Sequence, residues 1–163
     1  MLNRNTTCSF TGHRPDKLKI SEQEAKKCLC TGIEYAIKLG YTTFITGMAP
    51  GVDLWAGELM LEFKNIYPKI KIVCAFPYPG FSSYNPSAIK ISALADKISY
   101  ISKEYSIYSY QKRNEWMVDN SSLVIALFNG EKGGTYNTIK YAEKKGVTVM
   151  NMLDDGPKQL SVM

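Results

Sequence analysis

The stretch TFITGMAPGVDLWA, from Thr43 to Ala56, passes from a short β-branched and aromatic run through Gly47, Pro50 and Gly51 into an apolar helical period at Val52. Strand, tight glycine turn and helix start, in that order, restrict the chain to architectures in which a strand hands directly to a helix. A helix N-terminus carries unpaired backbone N–H groups and the positive end of the helix dipole, and glycines let a phosphate approach that backbone closely. The stretch therefore reads as a phosphate-binding turn.

The same alternation runs along the whole chain. Cys8 to Thr11 suits a first strand that delivers Gly12, His13, Arg14 and Pro15 into a loop. Ser21 and Glu24 have capping-box spacing, and Ala25, Cys28, Leu29, Ile33, Ala36 and Ile37 keep a helical period until Gly40 stops it. Gly32 lies on that apolar face, where it allows close packing on a sheet. After the opening turn, Val52, Trp55, Ala56, Leu59, Met60 and Phe63 mark one face for burial, and Pro68 ends the element. Ile70 to Phe76 predicts a third strand, apolar enough to be covered on both sides, followed by the loop PYPGFSSYNP.

A short helix over Ser87 to Leu94 and a fourth strand over Lys97 to Ile101 come next. A helix from about Ser109 to Asn120 places Tyr110, Arg113, Asn114 and Met117 on one face. Ser122 to Phe128 is a fifth strand running into NGEKGGT, ahead of a helix over Thr135 to Lys145 and a last strand over Val147 to Met152. The pattern predicts one α/β domain over residues 1–163, Rossmann-like and three-layered. It has a mostly parallel sheet with helices on both faces, and a tail that is peripheral from about residue 153.

Composition narrows the function classes. The chain is 45% hydrophobic and 21% charged, ordinary for a globular protein. No apolar run approaches the roughly 18 residues of a membrane span, and MLNRNTTCSF lacks the regions of a signal peptide, so the expectation is cytoplasmic with no membrane partner. A net charge of +5 permits an anionic partner, nucleotide or nucleic acid, although the lysines are scattered without a basic block. Cys8, Cys28, Cys30 and Cys74 form no C-x-x-C pair and His13 is the single histidine, so no metal site is expected and the thiols read as buried.

Three strand ends carry glycine turns: Thr11 to Pro15, Thr46 to Asp53, and Asn129 to Thr135. In doubly wound sheets the carboxyl ends of the strands line the ligand crevice at a topological switch point. Arg14, Thr135 and Thr138 add guanidinium and hydroxyl donors suited to an anion. Neither a Walker A sequence nor G-x-G-x-x-G occurs, which argues against a conventional P-loop ATPase or NAD dehydrogenase, and no cofactor is expected. Tyr78, Phe81 and Tyr84 suit either stacking on a base or covering a core edge.

TGHRP, ITGMAPGVDLWAGE and KRNEWMVDNSSLVIALFNGEKGGTYNT resemble the SLOG superfamily, the Rossmann-like domains related to the cytokinin-activating LOG enzymes and to DprA, and within it the YpsA-like branch. The likeness runs from about Thr7 to Met150. Gly47, Ala49, Gly51, Val52, Asp53 and Ala56 meet the G-x-A-x-G-[IV]-D-x-x-A pattern of DprA-like and YpsA-like members, which implies a nucleotide or nucleic-acid phosphate site. Arg113 with Met117, then Gly133, Gly134 and Thr135, stand where LOG-like enzymes carry R-x-x-x-M and P-G-G-x-G-T-x-x-E. The position of the LOG glutamate falls on Lys140, and Tyr136 and Asn137 replace the preceding G-T. A cation thus stands where a carboxylate supports glycosidic cleavage, with Glu143 one helical turn on as its substitute.

The site implied is Thr11, Gly12, His13, Arg14, Gly47, Met48, Ala49, Gly51, Asp53, Arg113, Asn114, Gly133, Gly134, Thr135 and Thr138, with Arg113 and Glu143 as the catalytic candidates. The leading expectation is a sensor or processing protein for a nucleotide or derivative, ADP-ribose-like or a nucleoside phosphate. The alternatives are an N-glycosidic hydrolase resembling LOG phosphoribohydrolases and single-stranded DNA binding resembling DprA. Pairing of copies through helices, as in related folds, is a further expectation.

Overall fold

A computed structural model describes residues 2–153, so the tail expected to be peripheral lies, beyond its first residue, outside the described residues. After a 3-10 turn at Arg4–Thr6 come β1 (Thr7–Gly12), α1 (Pro15–Leu18), α2 (Glu22–Lys38), β2 (Thr43–Thr46), α3 (Val52–Ile66) and β3 (Lys71–Phe76). They are followed by α4 (Pro86–Leu94), β4 (Lys97–Tyr100), α5 (Ser109–Asp119), β5 (Leu123–Leu127), α6 (Gly134–Lys144) and β6 (Thr148–Asn151). The strands form a single sheet in the order β4-β3-β2-β1-β5-β6. Each neighbouring pair is parallel, so every strand ends at the same edge. The expected mostly parallel sheet is entirely parallel, and α1 is an addition, four residues being too few to show a period.

The local signals act as their chemistry dictates. Ser21 caps α2, its hydroxyl oxygen accepting from the Glu24 amide at 3.1 Å. Such a cap contributes about 1 kcal/mol. Gly40 takes φ +99° just past the end of that helix. Gly32 brings α2 against the sheet, where a Cβ would stand 3.0 Å from Ile125 Cγ2.

Two layers of helices cover the sheet. On one side α2 and α3 pack over Cys8, Phe10, Phe44, Ile72 and Ile125. On the other, α5 and α6 bring Met117, Val118 and Ala142 against Ile45, Val73 and Val124. α3 buries a second flank as well, because α4 covers it: Leu54 joins Met48, Cys74, Phe76 and Ile91 in a separate cluster. Cys8 and Cys74 are buried, whereas Cys28 and Cys30 on α2 are only half-buried, which corrects the expectation for that pair. Burial pushes the Cys74 thiol up to about 12 and the Cys8 thiol up as well. Among the described residues no helix is long and apolar enough to cross a membrane.

β1 places Cys8 and Phe10 under α2 and α3, so its alternate residues Thr7, Ser9 and Thr11 face the other way, buried but polar. That polar side of the central strand leads to the carboxyl edge where β1 and β5 lie side by side.

Candidate functional site

Between β1 and β5 the strand order reverses, since β1 connects toward β2 on one side and β5 toward β6 on the other. Such a reversal opens a crevice beyond the strand ends. Here it is a cleft of about 600 Å³. The β1 loop supplies Thr11, Gly12, His13 and Arg14; the β2 turn, Ala49, Pro50 and Asp53; the β5 turn, Gly133, Gly134 and Thr135; and α5, Tyr110, Arg113 and Asn114. Phe10, Pro15, Asp16, Lys17 and Phe81 complete the lining.

The β2 turn is held by its own polar groups. Thr46 Oγ1 donates to the Asp53 carbonyl at 2.6 Å, and the Ala49 amide donates to Asp53 Oδ2 at 3.3 Å. Met48 adopts φ +65°, a left-handed conformation costing roughly 1–2 kcal/mol for a residue with a Cβ. Its fully buried side chain, packed with Leu54, Cys74 and Ile91, offsets that cost. Ser82 Oγ donates to the Met48 carbonyl at 2.9 Å, tying the loop after β3 to the turn.

Arg113 reaches this turn from α5. It is 5% exposed. Its Nη1 donates to the Gly47 carbonyl and its Nε donates to Asn114 Oδ1 at 2.7 Å. Burial lowers the Arg113 pKa, opposed by Asp53 and Tyr110; a guanidinium nonetheless keeps its proton in a protein. Burial likewise raises the Asp53 carboxyl, opposed by Arg113 and the Ala49 amide. Gly47 lies between the two charges, since a Cβ there would stand 2.7 Å from Asp53 Oδ2 and 2.9 Å from Arg113 Nη1.

The β5 turn is built differently. α6, like α3, starts from a glycine with no side-chain cap, here Gly133 at φ +149°, so its first amides have no acceptor from a capping side chain; the difference is the space around the glycines. A Cβ on Gly134 would meet nothing within 4 Å, and one on Gly133 would meet only Lys17 Nζ at 3.9 Å. Asn129 Nδ2 donates to the Lys17 carbonyl at 2.7 Å and so joins this turn to α1. His13 stacks on Phe128 with centroids 5.3 Å apart, and its Nε2 has no hydrogen-bond partner among the described residues. Burial lowers the His13 pKa and Lys17 adds to this, while Glu131 and Asn129 oppose it, so the imidazole is neutral at neutral pH.

Of the residues expected at the site, Thr11, Gly12, His13, Arg14, Ala49, Asp53, Arg113, Asn114, Gly133, Gly134 and Thr135 line the cleft together. Gly47 and Gly51 stand in the turn behind that lining, and Met48 points into the core. Thr138 is buried within α6, donating to the Gly134 carbonyl at 2.8 Å. Glu143 lies outside the lining, on the outer face of α6, paired with Lys140 at 3.5 Å, and both side chains are more than half exposed. Sequence reasoning missed Lys17, whose one signal was its place four residues after His13. It also left Tyr110 out of the site, although Tyr110 shares a helical face with Asn114.

Residues 8–153 match the model of the family YpsA, described as the YspA SLOG family. The chain belongs to the YpsA family. Its YpsA relatives include the uncharacterized SPbeta prophage-derived protein YoqJ of Bacillus subtilis (strain 168), 30% identical over 147 residues covering 80% of this chain and 84% of that protein. A UPF0398 protein of Bacillus thuringiensis (strain Al Hakam) is 26% identical over 156 residues, covering 88% of this chain and 85% of its own. Among solved structures, DprA of Streptococcus pneumoniae superposes with a TM-score of 0.58 at 16% identity, over 96% of this chain and 56% of that one. DprA of Helicobacter pylori, described for its single-stranded DNA binding mode, gives 0.61 at 16% identity, over 94% and 73%. This YpsA chain therefore spans little more than half of the pneumococcal protein, and at such identity the likeness establishes the fold.

Proposed function

We propose that this protein binds a nucleotide or nucleotide derivative, ADP-ribose-like or a nucleoside phosphate, in a single nucleotide-binding domain, as a sensor or processing protein. The observation that carries the reading is the uncapped N-terminus of α6, opening on the switch-point cleft with Lys17 and Arg14 in the same lining. A phosphate there takes the amides that no side chain caps, lies at the positive end of the dipole and meets two cationic side chains. A cleft of about 600 Å³ is of small-molecule size.

Calorimetry with ADP-ribose, NAD and nucleoside monophosphates tests this. The wild type is expected to bind at least one of them, and Gly134→Val, which fills open space at the helix start, to weaken that binding at least about tenfold. Binding of none by the wild type overturns the reading. The cleft carboxylates are Asp16 and Asp53, with Glu143 facing away, so the reading is one of binding. Release of free base from a bound nucleotide would add a reaction to it.

Single-stranded DNA is the second reading, favoured by the DprA-like fold together with a net charge of +5. Such binding weakens steeply with salt through counterion release. A flat salt dependence, or no binding of an oligonucleotide at low salt, removes it.

A further inference from the structure

Beside the β2 turn that Arg113 holds, the cleft is aromatic. Phe81 and Tyr110 line it with centroids 5.7 Å apart, edge to face. Tyr78 and Tyr105 buttress Tyr110 at 6.1 and 6.2 Å, and the Tyr78 and Tyr110 hydroxyls lie 3.2 Å apart. Arg113 lies over Phe81 with its Cζ 5.9 Å from the ring centroid. Tyr84, from the same loop, is 96% exposed and takes no part.

Asn114 stands beside this wall. It follows Tyr110 by one helical turn on α5, which places the two side chains next to each other, and both line the cleft. A guanidinium Nε–H can only donate, so the Asn114 atom 2.7 Å from it is the carbonyl oxygen. The amide orientation is therefore set by Arg113. Arg113 is itself set by the Gly47 carbonyl, and its charge is balanced by Asp53. Asn114 Nδ2, with two hydrogens, is the amide end left for a ligand.

We propose that Phe81, Tyr110 and Asn114 form the base end of the cleft, where a nucleobase lies on the aromatic wall and accepts a hydrogen bond from Asn114 Nδ2. This rests on the nucleotide reading and narrows it: the ligand carries a base, and a sugar phosphate alone lacks the group that this end recognises. Arg113 is then a positioning residue that aims the amide. A role confined to covering the core would leave the orientation of the amide without consequence.

The experiment compares ADP-ribose with ribose 5-phosphate, the latter by competition, on the full chain and on Asn114→Asp. The carboxylate keeps an acceptor for Arg113 and loses both donors. Expected are a wild type that prefers ADP-ribose and a variant that binds it about tenfold or more weakly, as for loss of one hydrogen bond to a half-buried amide. Ribose 5-phosphate is expected to change by less than about threefold, since it measures only the added charge. Phe81→Leu, which keeps apolar volume and removes the ring, is expected to reproduce the selective loss. Equal weakening of both probes in Asn114→Asp, unchanged ADP-ribose affinity in both variants, or a wild type indifferent to the base overturns the inference while nucleotide binding stands. A wild type that binds no nucleotide overturns the broader reading instead.

Discussion

The turns after β2 and β5 share a sequence signature, glycines between a strand and a helix, and put it to opposite physical uses. In the β2 turn the glycine is a packing device. Gly47 has a carboxylate and a guanidinium against its missing side chain, and Gly51, at φ +96°, has Pro15 Cδ 2.8 Å from where a Cβ would be. The polar groups of that turn are largely spent on one another. Both helices start without a side-chain cap, but in the β5 turn the glycines face open space. One turn builds a wall and the other leaves open space, so a glycine motif identifies a site only once its neighbours are known.

If the β2 turn is a clamped wall, breaking the clamp should damage the fold most. Arg113→Met leaves the Gly47 carbonyl without its donor and Asp53 without the neighbouring charge. The expected loss is about 3 kcal/mol in urea unfolding. A loss under about 1 kcal/mol would mean that the guanidinium is not what holds the turn. Gly47→Ala should come next, at about 2 kcal/mol, because the new Cβ must push apart two charged groups.

A smaller effect concerns pH. Burial holds the Asp53 carboxyl above its ordinary value of 3.8, so at a pH between the unfolded and folded values the folded protein retains a proton that the unfolded chain has released, and above both the group is a carboxylate. Stability from this group is present at low pH and falls as pH rises from the unfolded value through the raised folded one. Asp53→Asn should therefore gain on the wild type as pH rises above about 4, as measured by urea midpoints. A difference independent of pH would contradict the raised value.

The smallest effect on stability belongs to the open turn. Gly134→Ala should change unfolding by no more than about 1 kcal/mol, and in the stabilising direction, since alanine is the better helix former and meets no neighbour. Its contrast with Gly47→Ala is the sharpest test of the two roles. Similar losses from both would show that the turns are alike after all.

Much of the fold was legible because helical period, capping and glycine stops are local. Ser21 with Glu24 started α2 and Gly40 ended it, and the face of α3 was readable from Val52 to Phe63. Leu54 escaped because α4 packs on a flank of α3 that no period along α3 alone reveals. At the site, the converging turns were legible, yet Met48 read as a ligand contact and lies in the core. Glu143 read as a possible replacement carboxylate, but the buried face of α6 is made by Thr135, Thr138 and Ala142, and Glu143 falls beside Lys140 on the other side.

The sequence by itself determined the order of strands and helices, the three turns that meet at one sheet edge, and the kind of ligand those turns suit, because each depends on residues close together in the chain. Only the tertiary structure decided that Arg113, 66 residues from Gly47, is spent on that turn, that it aims Asn114, and that between the two turns the glycines with open space around them are those at Gly133 and Gly134. Those outcomes depend on which side chains meet across the cleft, and no spacing along the chain encodes such a meeting.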